Sequence, residues 1–161
     1  MRERRQARAG GWRCNPSPPR PIKNFGFRFN EPLGLDGDPY MRRCVLTFFG
    51  YSIRLHVWNR SDDTRFKHNH AFDFVTLVLR GGYTDVQPDG LHDYLSIGAI
   101  RFRRASHTHF VGGPAPGTTT ILLCSRKKQN WGFFVKGKMM RPLRFFSRYG
   151  HELNDSIVEN K

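Results

Sequence analysis

His68-Asn69-His70 places two imidazoles one residue apart at the mouth of a strongly β-prone run, Phe72 to Leu79. In an extended chain alternate side chains share a face, so the pair projects together and could grip one ion through neutral ring nitrogens. Two ligands do not complete a centre, and a third must come from another segment. The run Ser106-His107-Thr108-His109-Phe110-Val111 offers His107 and His109 on a second β-prone stretch. Asp73 is the nearest carboxylate, but on a regular strand it faces away from His70 and reaches the same ion only across a bulge. Its other uses are to orient an imidazole or to bind an arginine. No other catalytic pattern competes: Ser106 and His107 are neighbours without a Gly-x-Ser-x-Gly elbow, and no glycine-rich phosphate loop opens a helix.

The elements that must hold these histidines read as strands. Cys44 to Phe49 is β-prone, and Tyr51 to Trp58 alternates cleanly, with Tyr51, Ile53, Leu55 and Val57 on one face and Ser52, Arg54, His56 and Trp58 on the other. His56 therefore lies on a mixed face, as a lining residue or a supporting partner of the centre. Gly81-Gly82 turns the chain after the first histidine strand. Tyr94 to Ile97 is a short strand, Ala99 to Arg104 alternates, and Thr118 to Cys124 is β-branched. Phe25 to Phe29 alternates as a short strand, after which Pro32, Gly34, Gly37 and Pro39 predict a loop. Short strands separated by Gly/Pro turns, with no amphipathic helix before the last dozen residues, predict an all-β sandwich or closed jelly roll.

Composition bounds the rest. A chain of 161 residues is one domain with room for a core, and its 14 phenylalanines argue against general disorder. Residues 1–24 hold six arginines and a Pro-rich run, and are predicted as a basic flexible tail; 25–148 form the folded domain and 149–161 a C-terminal tail. Cys14, Cys44 and Cys124 are odd in number and widely spaced, so free thiols are expected. No apolar run is long enough to span a bilayer, which predicts a cytoplasmic protein without membrane contact. The net charge of +14 attracts polyanions. Between Arg126 and Arg148 basic residues alternate with Trp131, Phe133, Phe134, Phe145 and Phe146, making nucleic acid a candidate partner, unless those aromatics belong to the core.

From Arg43 to Val135 the chain resembles the cupin superfamily, and within it small single-domain cupin-like proteins of bacteria and bacteriophages. The resemblance rests on His68-Asn69-His70-Ala71-Phe72-Asp73-Phe74, Leu79-Arg80-Gly81-Gly82-Tyr83, Arg103-Arg104-Ala105-Ser106-His107-Thr108-His109 and Trp131-Gly132-Phe133. It implies a double-stranded β-helix barrel with His68, His70 and His109 as metal ligands, His109 matching the second-motif histidine. His107, at a variable position of the motif, and His56 are lesser candidates. The family's first motif usually carries a glutamate four residues after the second histidine, where this chain has Phe74; a three-histidine site is therefore implied, with Phe72 and Phe74 lining the cavity. Arg80, Tyr83 and Arg103 are candidates to hold a substrate carboxylate or phosphate.

Three neutral imidazoles leave a divalent ion with its full charge and open positions, which suits oxygen, water or a chelating substrate. Iron(II) is the first expectation, followed by zinc, nickel and manganese. The corresponding function is a metal-dependent small-molecule enzyme of dioxygenase type. The alternative is a non-catalytic cupin that binds a metabolite or sugar, its basic surface contacting nucleic acid or an acidic partner. Exposed edge strands make a homodimer reasonable.

Overall fold

A computed structural model of the chain describes residues 25–35, 38–61, 66–142, 144, 145 and 148. The two expected tails, 1–24 and 149–161, lie outside the described residues.

Within the described residues the regular secondary structure is almost entirely strand: β1 (Phe25–Leu35), β2 (Asp38–Phe48), β3 (Tyr51–Trp58), β4 (Phe74–Arg80), β5 (Gly82–Val86), β6 (His92–Ser96), β7 (Ile100–Arg103), β8 (Phe110–Gly112), β9 (Thr118–Cys124), β10 (Phe133–Val135) and β11 (Lys138–Met140). A six-stranded sheet runs β1-β2-β3-β9-β4-β7, a three-stranded sheet runs β6-β5-β8, and β10-β11 is a hairpin. β9, the most β-branched segment, lies in the middle of the large sheet, antiparallel to β3 and to β4. Branched side chains pack well on a pleated surface buried among neighbours, which suits Thr118, Thr120 and Ile121 to that place.

The loop expected from Pro32 to Pro39 is instead part of a long hairpin. β1 continues through Pro32 and Gly34, paired to β2, with register shifts between Arg28 and Glu31 and between Leu33 and Gly34. β1 is an edge strand, so a proline there forfeits no inner ladder bond, and the bulges absorb the irregularity. Asn30, at φ +48°, sits in the first of them.

The large sheet carries its residues in an unusual sense. Its apolar set faces outward: Ile53 of β3 is level with Leu123 of β9, Val75 of β4 and Phe102 of β7. Phe27, Tyr51, Ile53, Ile100, Phe102 and Leu123 are all exposed. The opposite face is buried and mixed, with Ser52, His56 and Trp58 from β3, Thr118, Thr120, Leu122 and Cys124 from β9, and Phe74, Thr76 and Val78 from β4. A buried face holding this many polar groups is the wall of a site more than the filling of a core.

The packed core lies at one end. Trp58, Val78 and Met41 of the large sheet meet Tyr83, Leu95 and Val111 of the small one. Gly81 makes the crossing: its φ is +70°, and a Cβ there would strike Thr118, whose hydroxyl binds the Gly82 carbonyl at 3.2 Å. A smaller cluster of Phe74, Leu122, Cys124 and Phe72 occupies the other end. The hairpin β10-β11 closes over the histidine segments, with Phe133 stacked on buried Phe145 at 3.9 Å. Phe133 and Phe145 are thus spent on packing, and Trp131, 40% exposed, is the described residue of that basic stretch with an accessible ring.

Candidate metal centre

Regular strand does not hold the histidines. β4 begins at Phe74, whereas His68 makes isolated bridges to His109 and Phe133 and His70 lies beyond them. Backbone bonds tie the segments together: His68 N–H donates to the His109 carbonyl at 2.8 Å, His109 N–H to the His68 carbonyl at 3.0 Å, and His70 N–H to the Ala105 carbonyl at 3.1 Å. Buried Asn69, between the two histidines, accepts from Gly132 N–H at 2.8 Å. Gln129 Nε2 donates to both the His70 and the Ala105 carbonyls, at 3.0 and 2.7 Å. Extended backbone keeps the two-residue periodicity even without a full ladder, so His68 and His70 still project together.

Ring nitrogens of His68, His70 and His109 lie within 4.8 Å of one another. The ring centroids are 5.0 Å apart for His68–His109 and His70–His109 and 5.1 Å for His68–His70. His70 Nε2 and His109 Nε2 are 2.8 Å apart, the separation of two donors about 2.0 Å from one ion and about 90° apart around it. Burial, followed by the neighbouring His109, pushes the His68 imidazole down to about 3. His70 is held well below its ordinary value by burial and then by His68, His109 and Arg54. Both are neutral at physiological pH, the form that can coordinate a cation.

Asp85 organises the third ligand. Its carboxylate is almost wholly buried and accepts from His109 Nδ1 at 2.6 Å and from Arg103 at 2.7 and 2.9 Å. His107 Nε2 stands 3.4 Å away, an ion-pair distance more than a formed hydrogen bond. Burial raises the carboxyl, but the His107 and His109 imidazoles beside it and the bond from Arg103 outweigh it and hold it well below the carboxylate range. A proton held on His109 Nδ1 leaves the Nε2 lone pair facing His70, the usual arrangement behind a metal-binding imidazole. Asp85, His107 and His109 form a second group of close donors, but the Arg103 guanidinium occupies the carboxylate that such an ion would need.

Other candidates fall elsewhere. Asp73 neither reaches the cluster nor orients an imidazole: it accepts from Ala105 N–H at 2.7 Å and pairs with Lys128 at 2.5 Å. The next residue, Phe74, turns inward and lies with its ring 4.5 Å from that of His70; strand parity places the two on opposite faces. Phe72 is 6.2 Å from the same ring. His56 lines the buried face beside Trp58, and its Nε2 has no hydrogen-bond partner among the described residues. The proposed substrate holders are used otherwise. Arg103 binds Asp85 and Asp93, Tyr83 is buried in the core against Trp58, and Arg80 is exposed.

Two contributors were not picked out from the sequence. Asp85 follows Tyr83 with strand periodicity, and a carboxylate on the buried parity of an otherwise uncharged strand was the available signal. Arg54 shares the buried face of β3 with Ser52, His56 and Trp58, and its guanidinium lies over the Phe72 ring at 4.1 Å.

No family model and no curated protein matches this sequence. Solved structures do. HppE in its iron(II) form superposes with a TM-score of 0.50 at 17% identity, covering 63% of this chain and 56% of that one. A Klebsiella pneumoniae protein with a double-stranded β-helix domain gives 0.48 at 17% identity, over 60% and 85% of the two chains. An RmlC-like cupin of Shewanella frigidimarina gives 0.47 at 16% identity, over 63% and 94%. The chain has the cupin fold. At such identities the likeness is one of architecture, and this protein's chemistry has to be read from its own residues. Among the described residues no helix is long and apolar enough to cross a membrane.

Proposed function

We propose that this cupin binds a divalent ion through His68, His70 and His109 and acts on a small molecule there, as a metal-dependent enzyme of dioxygenase type. The observation that supports this reading is the convergence of three imidazoles, His109 buried and His68 and His70 half-buried, one of them fixed in tautomer by Asp85. Iron(II) is the first candidate, with zinc, nickel and manganese behind it, because an all-imidazole set suits each of them. When bound, such an ion supplies Lewis acidity and positions for oxygen or a chelating substrate. The chain's own residues do the rest. Asp85 keeps a proton on His109 Nδ1, burial keeps His68 and His70 neutral, and Phe72 and Phe74 exclude water from one side.

Metal analysis of the full chain tests the reading. About one ion per chain is expected, and replacing His68, His70 or His109 by alanine should weaken retention beyond the roughly 10–100-fold that loss of a ligand's hydrogen-bond partner costs. His92→Ala, at an exposed position on β6, should leave it unchanged. Oxygen consumption that requires added iron would support the dioxygenase class. Phe74, an apolar wall where related cupins keep a carboxylate, favours the second reading, a binding module without turnover; metal-independent ligand binding would select it.

A homodimer is a further proposal, supported by the apolar outer face of the large sheet, where Phe27, Tyr51, Ile53, Ile100, Phe102 and Leu123 are all exposed. Leu123→Asp is expected to convert dimer to monomer in light scattering, and a monomeric parent protein would rule the dimer out.

A further inference from the structure

Arg54 is a charged residue on the inward face of β3 that the metal reading leaves unused. It projects from β3 between Ser52 and His56, level with Val45 on one side and Leu122 on the other, so its strand neighbours are apolar. Its guanidinium stacks on Phe72, and that ring in turn lies beside His70. One phenyl group therefore separates a fixed positive charge from the imidazole cluster. Nε is spent on Ser52 Oγ at 3.1 Å. The terminal amino groups have no acceptor among the described residues, and no described carboxylate pairs with them. Glu31, a carboxylate whose charge reaches Arg54, is itself taken by Arg43 at 2.7 Å and Arg28 at 3.3 Å. Burial pulls Arg54 down to about 10, which still leaves it charged at neutral pH.

A half-buried guanidinium without a counter-ion is costly unless an anion completes it. The surroundings add to the demand. Three imidazoles bring no negative charge to a divalent ion, and the one buried carboxylate close by, Asp85, is already neutralised by Arg103. Half-buried Arg103 sits opposite its acids; here the planar fork is left open beside the centre, the arrangement that receives two oxygens of a carboxylate or phosphate side by side.

We propose that Arg54 is the anion receptor of this pocket, and that the ligand is a small molecule carrying a carboxylate or phosphate group, bound with that group on Arg54 and its other end toward His70. Phe72 and Phe74 supply an apolar wall between the two anchors. The proposal rests on the metal reading for the second anchor only; the anion site belongs to the chain itself.

Calorimetric titration of the full chain with malonate and with inorganic phosphate, zinc-loaded and metal-free, tests both parts. Arg54→Met should weaken binding of the preferred anion about 10–100-fold, the loss expected for a charge-assisted hydrogen-bond pair, with zinc content unchanged. Arg54→Lys should recover part of it by restoring charge without the fork, and its circular dichroism guards against a folding defect in the methionine variant. Preference for malonate or for phosphate identifies the kind of anion. If the parent chain binds neither at about 10 mM, or if both variants bind as the parent does, the receptor assignment is wrong while the metal centre stands. If zinc fails to bind but the metal-free chain loses its anion with Arg54→Met, the receptor survives and the metal centre falls.

Discussion

Replacing Asp85 by alanine is expected to be the most damaging single change outside the three ligands, costing about 3–5 kcal/mol of stability. The reason is what stays behind. Arg103 sits largely out of solvent, and without Asp85 it keeps only the bond to Asp93, while His109 Nδ1 loses its acceptor in a buried position. The same change frees the His109 ring to turn and take the other tautomer, so metal affinity should fall about 10–100-fold. Asp85→Asn keeps an oxygen that can accept from His109 but presents an amide to Arg103, and should fall between. Urea unfolding of the metal-free chain and zinc titration against a competing chelator measure the two effects separately. Asp73→Asn serves as the contrast, because it keeps an oxygen that can accept from Ala105 N–H and gives up only the ion pair with exposed Lys128, which contributes little. Should Asp85→Ala prove as stable and as metal-competent as the parent, the network described around His109 has no energetic content.

The second large effect is acid lability of the metal-free chain. His56 and His68 are each pushed down from 6.5 to about 3, chiefly by burial, and His70 well below its ordinary value for the same leading reason. A depressed imidazole is neutral in the fold and protonates first in the unfolded chain. Unfolding therefore takes up protons, and stability is full above about 6.5 and falls as the pH drops toward the folded values. Each group contributes at most about 1.4 kcal/mol per pH unit in that window, so three acting together remove up to about 4 kcal/mol per unit, less where the charges of His68 and His70 oppose each other. Against a total of about 5–15 kcal/mol, the metal-free chain should unfold within two or three units below 6.5. Asp85, whose carboxyl is depressed, adds loss of the same sign only below its unfolded value near 3.8. Two controls isolate the cause. His56→Asn should reduce the slope by about a third, since His56 is outside the metal cluster, and saturating zinc should protect the remainder by mass action until the ligands protonate. Denaturant midpoints that hardly change between pH 7 and pH 5 would falsify the claim that these imidazoles are buried and neutral.

How much of this could be read from the chain alone depends on whether the information was local. The period-two alternation along β3, the β-branched run of β9 and the Gly81-Gly82 break are short-range signals, and they sufficed for an all-β chain and for the likeness to cupins. The spacing of His68 and His70 is local too, because backbone extension alone puts alternate side chains on one side. Which face of β3 would be buried was not local. Tyr51, Ile53, Leu55 and Val57 make the apolar set, yet Ser52, Arg54, His56 and Trp58 are the set turned inward, because β9 and β4 bring Thr120, Thr76 and Phe74 to that side. Alternation reveals that two faces differ; the partner strands decide which one is the interior.

The same distinction separates the ligands from their supports. His109 stands 39 residues from His70 along the chain, and Asp85 stands 24 from His109; only the crossing from β4 to β5 at Gly81 brings the carboxylate behind the imidazole. Arg103 was a candidate substrate holder by sequence and is a half-buried counter-ion in the fold, since β5 and β6 set Asp85 opposite Asp93 and two carboxylates side by side need a cation between them. Arg54 was an ordinary polar residue by sequence and is an open cation beside the pocket. Residue type and spacing determined which atoms could bind a metal; the pairing of distant strands decided which charges are cancelled and which remain available, because charge neutralisation requires contact and contact is made by the tertiary fold.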